Sequence, residues 1–287
     1  MTDLYINKNK GWKFAWTPEE DEILKKYYPQ YGFVGVSKYL PNRNHNGIKA
    51  RAAKLGLKYL SYNQNYFDCI DTKTKAYWLG FLYADGYIST HNRWGLELQI
   101  EDIDHMKNLL AELDANILIK TRARPLSTSC LFQISNTHMY QALLSKGVIR
   151  NKTELLSFPN ENILPKEFYP DFIRGFFDGD GSVCFYYNKQ KRKDDHIAKY
   201  PRCSMSIVCK SEDFIKNILC ILEDAGIPVG YYINKRDNLP LIQISNFNDL
   251  KKFFEYIYRD SCQMNRLNRK YEKMAEIVFM IGGDLIA

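Results

Sequence analysis

Asp85 and Asp180 are the residues of this chain best placed to do chemistry. Each closes an apolar run and precedes a glycine: Trp78-Leu79-Gly80-Phe81-Leu82-Tyr83-Ala84-Asp85-Gly86, and then Ile173-Arg174-Gly175-Phe176-Phe177-Asp178-Gly179-Asp180-Gly181. The acids lie 95 positions apart, room for one small αβ unit per copy. Runs with no polar face predict helices buried on all sides. Gly80 and Ala84, like Gly175 and Gly179, are four apart and share one helix face, so the two helices can approach backbone to backbone. Gly86 and Gly181 read as left-handed stops after each helix. The acids then meet at adjacent helix C-termini, each carrying roughly half a negative charge. Two carboxylates about 5 Å apart repel by roughly 3 kcal/mol at an effective dielectric of about 20. Such a pair shares a proton or binds a cation. A hard divalent ion suits oxygen ligands, and Mg²⁺ keeps waters and accepts phosphate oxygens. A helix-end cap facing water accounts for one such acid; it does not account for two at the spacing of a repeat.

The two nonapeptides resemble the paired signature helices of the LAGLIDADG homing endonucleases, and the likeness runs from Lys73 to the end of the chain. Three positions depart from the pattern: Trp78 replaces a leading aliphatic, Arg174 takes the second position of copy two, and Tyr83 stands where copy two keeps Asp178. The resemblance implies an α+β fold of two pseudo-symmetric αββαββα halves whose sheets bind DNA. It makes Asp85 and Asp180 catalytic and metal-holding, with the carbonyls of Ala84 and Gly179 as further ligands. It implies Mg²⁺, for which Mn²⁺ should substitute. The implied reaction is attack across the minor groove, giving a double-strand break with short 3′ overhangs in a long asymmetric target, by a monomer. A lysine near the last helix of each half would order the attacking water. The matching positions are Lys152, in Arg150-Asn151-Lys152-Thr153, and Lys270, in Asn268-Arg269-Lys270-Tyr271, with Arg269 a competing choice. Gln99 matches a water-network glutamine, whereas half two has Val208 there. The same scaffold also allows an intron RNA maturase or a DNA-binding regulator, which Mg²⁺-dependent cutting or its absence would separate.

The repeat extends past the signature. Met106-Lys107-Asn108-Leu109-Leu110 parallels Ile215-Lys216-Asn217-Ile218-Leu219, and Phe132-Gln133-Ile134-Ser135-Asn136 parallels Ile242-Gln243-Ile244-Ser245-Asn246. Leu96, Leu98 and Ile100 alternate with Glu97 and Gln99, which predicts a half-buried strand; Ser204, Ser206 and Val208 alternate with Met205, Ile207 and Cys209. The offset grows along the repeat because half two gains an inserted loop around residues 187–202. That loop carries Lys189, Lys191, Arg192 and Lys193, flanked by Tyr186, Tyr187 and Tyr200. Lys120, Arg122 and Arg124 fall in the hairpin between the last two strands of half one, and Lys235 and Arg236 in its counterpart. Basic tips on both halves suit a duplex: phosphate contacts give affinity and exposed strand side chains read bases. Double-stranded DNA also has local twofold backbone symmetry, matching a duplicated chain.

The net charge of +7 is uneven: residues 1–60 hold eleven Lys and Arg against five Asp and Glu. That asymmetry points to a nucleic-acid partner. Trp16-Thr17-Pro18-Glu19-Glu20-Asp21 opens a helix with an N-cap, a proline at the first position and a capping box. A second helix is expected near Val34–Leu40, and a third, basic one follows Arg43-Asn44-His45-Asn46 and exposes Lys49, Arg51 and Lys54. This three-helix module resembles a Myb/SANT-like helix-turn-helix domain, which implies Asn44, His45, Asn46 and Lys49 at base edges and Arg43, Arg51 and Lys54 at phosphates. The expected organisation is the small all-α domain over 1–60, a linker over 61–72, the first half over 73–157, a linker over 158–170 and the second half over 171–287. Seven cysteines without CxxC spacing argue against zinc and for reduced intracellular thiols. The polar start lacks a signal-peptide core, and no apolar run approaches transmembrane length. The expectation is a soluble intracellular protein, of a bacterial or phage-infected cell or an organelle, with no membrane partner and no small-molecule substrate.

Overall fold

Short polar side chains open most helices of this chain. Thr17, Asn44, Thr72, Asn136, Ser211 and Asn246 each accept a hydrogen bond from a backbone N–H of the first turn, satisfying donors that the helix itself leaves unpaired. The computed structural model describes residues 15–57, 59, 62–150, 155–191 and 197–284. It divides into two compact units, Met1–Asn63 with Asp114–Asn116, and Gln64–Leu113 with Ile117–Ala287.

The first unit holds α1 (Pro18–Ser37) and α2 (His45–Lys54). The capping box of Thr17 and Glu20 is present. Gly32, at φ 58° and ψ −158°, is non-helical and divides α1 into two helical segments, so the first two predicted helices are present and meet directly at a residue that tolerates positive φ. The second ends at Ser37 rather than Leu40. Leu24, Val36, Ile48 and Ala52 are fully buried and form the core of this unit with Tyr28 and Leu40.

The second unit contains the repeat. Half one runs α3 (Lys73–Ala84), β1 (Gly86–Ser89), β2 (Arg93–Gln99), α4 (Ile103–Glu112), β3 (Lys120–Arg124), β4 (Ser127–Ser135) and α5 (Thr137–Ser145). Half two runs α6 (Tyr169–Asp180), β5 (Gly181–Lys191), β6 (Ile197–Val208), α7 (Glu212–Asp224), β7 (Gly230–Ile233), β8 (Pro240–Ile244) and α8 (Phe247–Tyr258), followed by α9 (Asn268–Asp284). The αββαββα order therefore occurs twice. Both sheets are antiparallel and share one strand order, β1-β2-β4-β3 and β5-β6-β8-β7. The recurrent Ile-Ser-Asn has a local cause: each copy ends a strand and supplies the N-cap of the next helix, Asn136 for α5 and Asn246 for α8.

Alternation sorts the two faces of each sheet. Trp94, Leu96, Leu98, Phe132 and Ile134 are buried in half one, and Val183, Cys203, Met205, Ile207, Ile242 and Ile244 in half two. Polar residues take the opposite face. Three expectations change. Residues 64–72 are no loose linker: Phe67 is fully buried and meets Trp94 edge-on at 6.1 Å. The inserted loop of half two is largely a ribbon, since β5 and β6 pair from Gly181↔Ile207 out to Lys191↔Ile197 while β6 meets β8 only from Met205 to Val208. Lys120, Arg122 and Arg124 lie along β3 itself rather than at a hairpin tip. Among the described residues, no helix is long and apolar enough to cross a membrane.

Candidate active site at the helix seam

Helices α3 and α6 touch through their main chains. A Cβ on Gly80 would stand 2.0 Å from the Phe172 carbonyl oxygen, and one on Gly175 would stand 2.0 Å from that of Tyr77. The contact is reciprocal, and only glycine permits it. One turn on, a Cβ on Gly179 would fall 2.3 Å from the Ala84 Cβ and 3.0 Å from a carboxylate oxygen of Asp85. Asp85 caps the end of α3, its N–H donating to Phe81 at 2.9 Å, and Asp180 is the last residue of α6. Both acids thus come to the same end of the seam, Asp85 half-buried and Asp180 exposed. Ala84, Asp180, Val208 and Lys210 line one cleft there.

The following glycines are not left-handed stops. Gly181 is extended at φ −75°, and Gly86 is absent from the positive-φ glycines. Space demands them instead: a Cβ would meet Phe177 at 2.1 Å from Gly181 and Leu82 at 2.6 Å from Gly86. The chain turns straight from helix into strand, across its own last turn.

Lys270 closes the end of α6. Its Nζ donates to Phe177, Gly179 and Gly181 at 2.8, 3.0 and 2.6 Å, so all three ammonium protons meet carbonyls that a helix terminus leaves open. Burial pushes its pKa down to about 8, against the pull of Asp178, Asp85 and Asp180. The Gly179 carbonyl, expected as a metal ligand, therefore already accepts one hydrogen bond; its second lone pair remains. Arg269 points elsewhere, clasping Asp102 of half one with two bonds of 2.8 Å. Lys152 lies outside the described residues.

The departures from the signature acquire physical reasons. Asp178 is fully buried and accepts from Tyr258 at 2.5 Å, Tyr77 at 3.0 Å and the Leu267 N–H at 2.7 Å. Burial raises its pKa, offset only in part by the Tyr258 and Leu267 donors and by the charges of Lys270 and Arg174. Tyr77 has one hydroxyl proton, given to Asp178, so His105 Nε2, 2.8 Å away, serves as donor. Burial drives the His105 pKa down to about 4, keeping the ring neutral. This chain of hydrogen bonds crosses the seam. Arg174, at the second signature position, is also buried and ties Ile257 and Asn265 of half two to Asp171. Tyr83 donates to the Lys146 carbonyl at 2.6 Å.

The remaining predicted positions divide by element. Gln99 ends β2, exposed on the outer face in the cross-strand row of Ser129 and Arg122. The registers correct its expected counterpart: Gly86 pairs Leu96 as Gly181 pairs Ile207, so Gln99, three residues on, corresponds to Lys210 and not to Val208. Both Val208 and Lys210 line the cleft beside Asp180. The signal for Lys210, which sequence reasoning missed, was the 110-residue offset of the Phe132 and Ile242 repeat, which is nearer the true register than the 109 that selects Val208. Lys189 lies on the ribbon, opposite Lys199. Lys191 ends β5, its side chain outside the described residues, as are Arg192 and Lys193 entirely. Lys235 and Arg236 occupy the turn between β7 and β8. In the first unit, Asn44 is the N-cap of α2, His45 packs on Phe33 with ring centroids 4.1 Å apart and planes tilted by 37°, and Asn46, Lys49 and Lys54 are exposed. Arg43 is bound by Glu20 at 2.6 and 2.7 Å and Arg51 by Asp21 at 2.7 Å, so both arginines tie α2 to the first turn of α1.

Among the described residues, no three His, Cys, Asp or Glu side chains form a cation cage. The donors at the seam are two carboxylates and main-chain carbonyls, an oxygen-only set that fits a hard divalent ion which keeps water and phosphate ligands.

Residues 167–258 match the family model of the LAGLIDADG-like domain. Half two is thus similar to a LAGLIDADG-like domain from α6 through α8. The described fold also matches solved LAGLIDADG homing endonucleases. The I-LtrWI enzyme bound to target DNA aligns at a TM-score of 0.51 and 12% identity, covering 77% of this chain and 92% of that one. The I-SmaMI enzyme bound to cleaved DNA aligns at 0.51 and 12%, covering 71% and 87%. No curated protein sequence matches the chain. The LAGLIDADG-like match spans α6 through α8, and the αββαββα order of α3 through α5 repeats it on the other side of the seam.

Proposed function

We propose that this protein is a site-specific DNA endonuclease that makes metal-dependent double-strand breaks in a long asymmetric target. The observation that carries the reading is the pair of acids at one end of a glycine-tight helix seam, between two sheets of identical strand order. Asp85 and Asp180, with the carbonyls of Ala84 and Gly179, would hold Mg²⁺, and Mn²⁺ should replace it. When bound, the ion supplies Lewis-acid charge at the scissile phosphate and at the attacking water. Lys270 holds the end of α6, and so Asp180, in place, and it adds positive charge beside a phosphate. Lys152 takes the corresponding role in half one, and Gln99 orients water at the end of β2. The outer sheet faces and the β5–β6 ribbon lie along the duplex: Lys120, Arg122, Arg124, Lys189, Lys191, Arg192, Lys193, Lys235 and Arg236 contact it. The first unit adds a second DNA contact through Asn46, Lys49 and Lys54 of its basic helix. One chain carries both halves, so a monomer suffices, acting inside the cell where its DNA lies.

Asp85→Asn and Asp180→Asn should each abolish coordinated double-strand cutting in Mg²⁺ while leaving DNA binding intact. The measurement is cleavage of a selected target beside a gel-shift titration. Normal cutting by both variants would end this assignment.

A further inference from the structure

The outer face of the half-one sheet carries a carboxylate where a duplex is expected. Glu97, on β2, accepts from Arg122 Nη1 at 3.0 and 3.3 Å, from Arg124 Nη2 at 2.9 Å and from Ser129 Oγ at 2.7 Å. β2 and β3 flank β4 on opposite sides. The two arginines therefore reach across β4, about 10 Å of sheet at the usual strand spacing, to meet one acid. An acid there repels DNA. It also adds little stability, because both arginine side chains are about half exposed, at 51% and 54%, and ion pairs at such exposure contribute little. What it does is fix two guanidinium forks before any ligand arrives, removing rotamer freedom that binding would otherwise have to freeze. Each guanidinium has five N–H donors. Among the described residues, Arg122 commits only Nη1 and Arg124 only Nη2. A phosphate needs no such preset orientation, since a flexible cation serves it. A planar fork held at a set angle suits the O6 and N7 of guanine.

We propose that Glu97 is a positioning residue that holds Arg122 and Arg124 as a preset pair of guanine readers, giving half one a half-site with two guanines within about three base pairs. The inference rests on the DNA reading above. Residues two apart on a strand span about 6.7 Å, close to two base steps of about 3.4 Å each, which sets the spacing. Among the described residues, half two shows no such clasp: Val208 stands at the register position of Glu97. The outer face of half two pairs Ser182 with Ser206 at 3.0 Å and Gln243 with Ser204 at 2.7 Å, all uncharged.

The test is binding selection from a randomised duplex library with the full chain carrying Asp85→Asn and Asp180→Asn, with and without Glu97→Gln. The parent should enrich two guanines in one half-site. Arg122→Ala and Arg124→Ala should each erase one of them. Glu97→Gln should cut the preference for guanine at both positions by about ten-fold or more, while binding to unselected duplex strengthens and its salt dependence steepens by about one charge. A merely structural clasp would shift the melting curve of Glu97→Gln and leave its base profile untouched; that result overturns the proposal while the endonuclease reading stands. A parent that enriches no site at all would sink both.

Discussion

At the sixth position of the repeated nonapeptide, half one carries Tyr83 and half two carries Asp178. Both side chains tether the end of a seam helix to the chain that follows the last helix of the same half. Tyr83 does so as a donor, to the Lys146 carbonyl, and Asp178 as an acceptor, from the Leu267 N–H. The slot therefore demands a tether and not an acid. What distinguishes half two is the load on that tether. Asp178 also collects the hydroxyls of Tyr77 and Tyr258, while Tyr83 makes a single bond. The acid at this position organises a network across the seam.

The contrast can be broken or sharpened by substitution. The largest effects should come from the one feature the halves share equally. Gly80→Ala and Gly175→Ala each force a methyl group onto a carbonyl, and each should lower unfolding free energy in urea by about 3 kcal/mol or more. Unequal losses would mean that the seam is less reciprocal than its geometry. Next, Asp178→Ala strands two hydroxyls and an N–H and should cost about 2–3 kcal/mol, whereas Tyr83→Phe, losing one bond, should cost about 1–2 kcal/mol.

The pH dependence follows with opposed signs. The folded pKa of His105 is depressed to about 4, against 6.5 for an open histidine. Its contribution is present above pH 6.5 and is lost as pH falls toward 4, on the order of 3 kcal/mol at most. The folded pKa of Asp178 is raised by burial, so its contribution is present at low pH and declines as pH climbs through that raised value. His105→Phe should flatten the acid side of the stability profile between about pH 6.5 and 4, and Asp178→Asn should steepen it. The smallest effect belongs to Lys73→Ala, which removes a 2.6 Å pair with Asp260 that is half exposed on both sides; no resolvable shift of the midpoint is expected in the same urea titration.

The repeat, the seam helices and the strand faces were legible in the sequence because burial imposes periodicity. Small residues four apart announced the close approach of α3 and α6, and alternation around Leu96 and Ile207 announced the sheets. Other features depend on atoms brought together only by folding. Gly86 and Gly181 were read through backbone conformation, yet what excludes a side chain is each glycine's own preceding helix turn. The ribbon reads as a loop because its residues are polar on both sides, so no alternation marks it. The Glu97 clasp joins residues 25 and 27 positions apart across an intervening strand, a diagonal that no local pattern signals. Arg43 and Arg51 look like free cations until Glu20 and Asp21 are folded beside them.

Because Gly80 and Gly175 set main chain against main chain, no side-chain replacement elsewhere can slide one helix along the other. The interval between Asp85 and Asp180 is thereby a constant of the scaffold. Under the proposed endonuclease reading, a lineage of such proteins could wander widely in the bases it recognises while the stagger between its two cuts, and hence the shape of the broken ends offered for repair, stays the same.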